Sequence, residues 1–520
     1  MTPARTMSVD GLVAAERARL VPIVLIGSGA AVLIGILTAE LALSGHVFLV
    51  VMLAAVAYPI ILWRRPDIGI GLLVLLATLI EQFPIEQTPM SGLPAMIVTD
   101  QIPLFVSFAG SAGLSGFMVS PLEIALFITL LVWIMKGILQ RQLRLPRSAL
   151  AISIGIFVAV LVFGEVQGLI HGGSFRESVD ELRPWFYLVV LFLVASQLLD
   201  RPGAFKPILW AFVIGTGIKG LQGTIRFVLV RGASPRPDAI LAHEEALFFA
   251  LFVLLVAALW LFRDASRMRT VATVLLPSVL IADLGNNRRA AWLILLAGFV
   301  ALGVVAWIRL PDRRRLVGSW AVALVVVGSL YLAVFWSGTG SLAQPARAIR
   351  SAIAPSNRDS LSDLYRNQEN ANLAFNIKLA GPLGAGFGLP IDYALPITDL
   401  TKITPSLAFI PHDGILYVWM RLGIPGILVF WCLIGAAIVA AGRLIRSPDN
   451  ARALFGAFAL CAVIAYVLEG YYDLGLSWFR VAVIMGCILG ALEATGRLAP
   501  AIVPSAPRTV TQRRPAWPPP

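Results

Sequence analysis

The chain is a succession of long, continuous apolar runs separated by short clusters of basic residues. A run of about 20 apolar residues is what a helix needs to cross a bilayer. The runs are continuous rather than alternating, so helices and not strands are the spanning elements. Approximate centres at Ala30, Ala54, Val74, Thr129, Ile156, Leu191, Thr216, Val253, Leu276, Gly298, Val326, Val429, Val463 and Met485 give about fourteen spans. Those around Val74 and Leu276 are the weakest. Only 13% of the residues are charged and 58% are hydrophobic, whereas soluble domains carry about 25% charge. A soluble fold is excluded. The expected fold class is all-α, a polytopic transmembrane helix bundle with one long external loop containing short helices.

The basic clusters set the topology. With the N-terminus inside, the inside loops carry Arg64 and Arg65; Lys136, Arg141, Arg144 and Arg147; Arg201 and Lys206; Arg263, Arg267 and Arg269; Arg309 and Arg313 to Arg315; Arg443, Arg446 and Arg452; then Arg497. This follows the bias of Lys and Arg toward cytoplasmic loops, and it leaves both termini cytoplasmic. Segment 81–120 holds no Lys or Arg, as an outside loop should. Arg226, Arg231 and Arg236 run against the rule. The net charge of +12 is spread over these loops, with no basic domain to hold a duplex, so nucleic acid is excluded as a partner.

The expected divisions are a cytoplasmic N-terminal segment (1–20), N-terminal spans with an external loop (21–118), a transmembrane core (119–336), a long external loop (337–412), C-terminal spans (413–498) and a disordered cytoplasmic tail (499–520). The run after Leu20 reads as a retained helix rather than a signal peptide. In the long loop, residues 360–380 can form a helix that ends before Gly381-Pro382. Loops of this length are often functional. Cys432, Cys461 and Cys487 lie inside apolar runs and read as packing residues.

Candidate chemistry gathers on the outside. Asn286-Asn287-Arg288-Arg289 is a very short turn between two spans. Its arginines are either snorkelling end residues or an anion site, since guanidinium groups bind phosphate bidentately and a helix start adds backbone donors. His412-Asp413-Gly414 closes the long loop and opens a span. Asp413 is either a cap of that helix or a substrate contact, and His412 is either a solvated junction residue or a base near neutral pH. Arg176 to Trp185 is a charged segment in which Arg176 and Asp180 stand one turn apart, as a salt-bridged helix end or as further phosphate or sugar contacts through Arg176 and Arg183. His243-Glu244-Glu245 opens another span, with Glu244 a proton-relay or sugar-binding candidate. Glu469 to Asp473, with Tyr472, is an interfacial aromatic belt or a carbohydrate contact. Gly384-Ala385-Gly386-Phe387-Gly388 lacks the context of a nucleotide loop and reads as a tight turn. The histidines are scattered, so no metal site and no cofactor is expected.

The order of these motifs resembles the O-antigen ligase and polymerase family of bacterial membrane glycosyltransferases. The resemblance rests on Asn287 to Trp292, then Tyr365-Arg366-Asn367-Gln368, Pro382 to Gly388, His412 to Tyr417, and Leu422 to Gly426, with Glu181 to Pro184 upstream. It covers about residues 175–430. Asp413, where the family more often has Asn, and His243-Glu244-Glu245 depart from the pattern. The resemblance implies a bacterial cytoplasmic (inner) membrane enzyme with its site on the external face. It implies a polyprenyl-diphosphate-linked glycan as donor and a hydroxyl of a glycan, lipid or protein as acceptor, in an inverting, metal-independent transfer. On that basis Arg288, Arg289 and Arg366 would hold diphosphate and His412 would activate the acceptor. A transporter or flippase, with Lys219, Gln222 and Arg226 as its intramembrane polar group, and a non-catalytic scaffold are the readings from other classes.

Overall fold

In a computed structural model of the chain, the described residues are 57–83, 100, 102–107, 119–140, 146–230, 239–338, 340–351, 353–354, 357–402 and 404–498. The expected spans centred on Ala30 and Ala54 and the C-terminal tail lie outside them. The helices are α1 (Pro66–Leu79), α2 (Pro121–Leu139), α3 (Ala149–Ile170), α4 (Phe175–Leu198), α5 (Lys206–Leu229), α6 (Glu245–Leu261), α7 (Arg267–Asn286), α8 (Arg289–Arg309), α9 (Arg314–Phe335), α10 (Gln344–Ser351), α11 (Asn357–Ala380), α12 (Gly414–Ile445), α13 (Asn450–Tyr472) and α14 (Phe479–Arg497). Among the described residues there is no strand, and 9 helices are long and apolar enough to cross a membrane. The chain is a multi-pass, all-helical membrane protein. Every remaining expected centre, from Val74 to Met485, falls inside a helix. The helix around Val74 is short, at 14 residues. The one around Leu276 reaches 20 residues despite the proline inside it.

The most buried helices are α14, α6 and α13, while α9 has no buried residue. Lipid is as apolar as a leucine side chain, so helices in a bilayer associate through close packing rather than by escaping water. The α14–α4 contact shows this. A Cβ at Gly486 would stand 2.6 Å from the Leu188 carbonyl oxygen, and one at Gly490 would stand 2.8 Å from that of Phe192. The small residues at i and i+4 let the two backbones touch.

The helix expected over 360–380 is α11, and it stops before Gly381 as its breaker pair dictates. The glycine run that follows is more than a turn. Gly384, Gly386 and Gly388 all have left-handed φ, between +79° and +84°, which costs other residues energy. A Cβ at Gly384 would meet the Arg421 carbonyl at 2.6 Å, and one at Gly386 would meet the Gly168 nitrogen at 2.2 Å. The run is therefore wedged between α3 and α12. It also meets α12 at Gly423 (φ 63°, ψ −156°), where the helix kinks two residues before Pro425. Glu181 on α4 locks this junction. It accepts from the Gly388 nitrogen at 2.5 Å, pairs with Arg421 Nη2 at 2.6 Å and accepts from the Tyr417 hydroxyl at 3.2 Å. The glycine run that follows α11 is thereby held against the bundle.

Candidate active site

Helix ends from distant parts of the chain meet at one end of the bundle. The first is the α7–α8 turn. Asn287 takes the left-handed C-cap conformation, and Arg288 stands at the N-cap of α8. Asn286 fixes the turn by accepting from the Leu241 nitrogen at 3.1 Å and donating to the Ala242 carbonyl at 3.0 Å. This draws in the segment that leads to α6 and carries His243. Arg347 of α10 donates to Asn287 Oδ1 at 3.1 Å.

The second is the pairing of α11 with the start of α12. Asp413 caps α12, accepting from the nitrogens of Ile415 and Leu416 at 3.0 Å each. This is the capping role that the sequence suggests. It leaves His412 just outside the helix, half-buried, with Nδ1 3.0 Å from Glu369 Oε1 and its backbone nitrogen donating to Glu369 Oε2 at 3.2 Å. The edge of the Tyr365 ring meets the His412 ring at a centroid distance of 5.6 Å. Burial disfavours the charged imidazole, but the hydrogen bond and charge of Glu369 outweigh it and raise the His412 pKa above the ordinary histidine value.

The third is the end of α13. Asp473 Oδ2 lies 3.1 Å from His243 Nδ1 and 3.9 Å from Arg366 Nη2. Burial pushes the Asp473 carboxyl up, yet His243, His412 and Arg366 together hold it well below the usual carboxylate range. Glu469, one turn earlier, is buried within the field of both Arg288 and Arg366. Arg288, Arg366, His412, His243, Glu369, Glu469 and Asp473 thus form one electrostatic cluster.

The other sequence candidates have other partners. Arg289 forms a two-pronged pair with Asp363 of α11, at 2.6 and 3.3 Å, and donates to Ser351 at 3.2 Å. It ties α8 to both α10 and α11. Arg183 pairs with Asp180 at 2.6 Å and with Glu123 of α2 at 3.1 Å, so Asp180 takes Arg183 as its close partner where the sequence suggested Arg176, which is exposed. Glu244 pairs with Arg480 at 3.1 Å. Tyr472 is partly exposed, its ring against that of Tyr471. The group of Lys219, Gln222 and Arg226 is also closed. Lys219 pairs with Glu81 at 2.6 Å, Gln222 donates to Asp100 at 3.0 Å, and Arg226 pairs with Asp100. Arg480 joins Glu81, Glu244 and Glu245 to the same buried network.

Glu369 has no place among the sequence candidates, and His243 and Asp473 are named there only with their neighbours. Their signal was weak: Glu369 lies at i+3 from Arg366 and i+4 from Tyr365, hence on one helix face with both.

Residues 272–431 match the family model described as O-antigen ligase, a stretch that includes Arg288, Arg289, Arg366, Glu369 and His412. That match supports the O-antigen ligase family for this chain. An O-antigen ligase of Salmonella typhimurium strain LT2 is 25% identical over 357 residues, which cover 66% of this chain and 83% of that relative. The two similarities together support a glycosyltransferase-like enzyme. His243, Glu469 and Asp473, which complete the cluster, fall outside the matched stretch.

Proposed function

We propose that this chain is an O-antigen ligase-type enzyme that moves a glycan from a polyprenyl-diphosphate carrier to an acceptor hydroxyl, at the outer face of the cytoplasmic membrane, with inversion and without a metal. The observation that carries the reading is the convergence of Arg288 and Arg366 with the His412–Glu369 pair. Glu369 occupies Nδ1 of His412, which directs Nε2 to the acceptor. Nε2 takes the proton of the acceptor hydroxyl as its oxygen attacks the anomeric carbon from the face opposite the diphosphate. The bond from the anomeric carbon to the diphosphate oxygen breaks, and polyprenyl diphosphate leaves with the electron pair. Arg288 and Arg366 stabilise the charge that grows on it, as fixed cations in a water-poor site do well. Asp473 and Glu469 hold those arginines apart and offer acceptors to sugar hydroxyls. Arg289 acts by keeping α11, and with it Arg366 and Glu369, over the α7–α8 turn. Arg176, Arg183 and Tyr472 have no part in this step, and Glu244 supports it from beneath through Arg480.

The closed Lys219–Glu81 and Arg226–Asp100 pairs favour this reading over a transport path, which needs intramembrane polar groups open to a substrate. The test uses purified protein in nanodiscs with polyprenyl-diphosphate-linked glycan, a crude acceptor fraction and EDTA, following release of polyprenyl diphosphate. Release that needs both acceptor and His412 supports the proposal, and the size of the product separates a single ligation from polymerisation. Full release by His412→Ala at equal protein level overturns the assignment of the base.

A further inference from the structure

At the opposite end of α12 and α13 from the candidate active site lies a cavity of about 190 Å³ between α3, α12, α13 and α14. Most of the 32 residues of the kinked α12 separate it from His412, a span of under about 48 Å at 1.5 Å of rise per residue. Its polar lining is Arg443, Arg452, Arg497, Ser148, Ser447 and Glu493, and the rest is apolar side chain and small residues of the helices. Guanidinium groups outnumber carboxylates three to one. Glu493 offsets one of the three, its Oε2 accepting from Ser148 at 2.6 Å and its Oε1 standing 3.8 Å from Arg497 without a hydrogen bond.

A basic loop residue needed only to orient the chain in the bilayer belongs in water. Arg443 and Arg497 satisfy that description, being exposed at the rim. Arg452 does not. It is 9% exposed, spends Nη2 on the Thr495 carbonyl at 2.5 Å, and has Nε buried without an acceptor. A buried guanidinium with an unspent donor, beside a cavity with two further arginines and Ser447 on its lining, suits a phosphate oxygen. The apolar walls suit a chain attached to that phosphate.

We propose that this cavity binds the phosphate of an anionic phospholipid headgroup. The shared chemistry with free phosphate is separated by experiment. Full-length protein is melted in detergent with phosphatidylglycerol, with phosphatidylcholine, or with inorganic phosphate against chloride at equal ionic strength. Binding to the folded state raises the melting temperature, and the expected shift with phosphatidylglycerol is about 3 °C or more. Phosphatidylcholine should give none, and Arg497→Gln and Arg443→Gln should each shrink the phosphatidylglycerol shift. Arg452→Gln should abolish it. If that variant does not fold, the two rim variants still decide. Equal shifts from the two lipids, or rim variants that respond like the wild type, overturn the site. A shift from inorganic phosphate that phosphatidylglycerol does not exceed overturns the lipid assignment. The readout is thermal and independent of glycan transfer.

Discussion

Glu369 grips His412 at two points, through Nδ1 at 3.0 Å and through the backbone nitrogen at 3.2 Å. One contact would orient the ring. Two fix the ring and the chain that enters α12 together, so the imidazole faces the cluster in one tautomer. Glu369→Gln should lower kcat by about 10²-fold, within the range of general base catalysis, without losing folded protein.

The same pair sets a pH dependence. Glu369 favours the imidazolium, so the His412 pKa is raised. The working base is the neutral imidazole, so activity should climb as pH rises through a value above the ordinary ~6.5. In Glu369→Gln that limb should move to lower pH. Stability runs the other way. The pair's contribution is complete below the unfolded histidine pKa of ~6.5 and is lost as pH rises through the raised folded value. Thermal melting of the wild type should therefore decline across that window, and the decline should flatten in Glu369→Gln. A pH–rate limb that does not move would assign Glu369 to structure alone.

Arg288 and Arg366 face Glu469 and Asp473 from different elements, and each should matter for the leaving group. Arg288→Lys and Arg366→Lys keep the charge but lose the planar fork. Each should cost about 10²-fold or more in kcat/KM, comparable to removing one preorganised donor. Release of polyprenyl diphosphate measures it. A lysine variant of wild-type activity would mean that charge alone suffices there.

Gly423 tests how the glycine run after α11 is anchored. Its φ of 63° and ψ of −156° lie in a region open essentially to glycine, with a cost of about 1–3 kcal/mol for other residues. A Cβ there would also meet the Pro382 carbonyl oxygen at 2.2 Å. Gly423→Ala should lower the melting temperature and activity together, whereas Gly435→Ala, at a position with open space around a Cβ, should change neither.

What the sequence disclosed follows from where its signals are local. Apolar runs, the breaker pair after α11 and the Asp413 cap are each complete within a few residues, and among the described residues the runs from Val74 onward are helices, α11 ends at the breaker pair and Asp413 caps α12. Pairings across the chain carry no such mark. His243 and Asp473 are 230 positions apart, and Glu369 is 43 from His412. A carboxylate whose partner comes from another helix looks like any solvated one. The same limit made Lys219 and Arg226 resemble a transport path, because Glu81 and Asp100, which close them, stand 138 and 126 positions away. The glycine run was legible as a turn but not as a wedge, since its tight neighbours belong to α3 and α12.

The Arg289–Asp363 pair separates two roles that the short turn leaves open. If Arg289 grips diphosphate, Asp363 is incidental, and Asp363→Ala should leave transfer intact while Arg289→Ala loses about 10²-fold or more. If Arg289 holds α11 in place, the two residues work as one unit. The geometry supports the second, because both prongs of the guanidinium go to Asp363. Both side chains are about a third exposed, so solvent screens the pair and its share of global stability is small. Its effect should appear in catalysis, through the placement of Arg366 and Glu369 three and six residues further along α11. Arg289→Ala and Asp363→Ala should then each lower kcat by a similar factor, about 10-fold, since misplacement of a catalytic group is felt even from a distance. The double variant should be no worse than either single one, the signature of a shared interaction in a double-mutant cycle. Steady-state release of polyprenyl diphosphate from the four proteins gives the answer, and additive losses would show that Arg289 acts on the donor by itself.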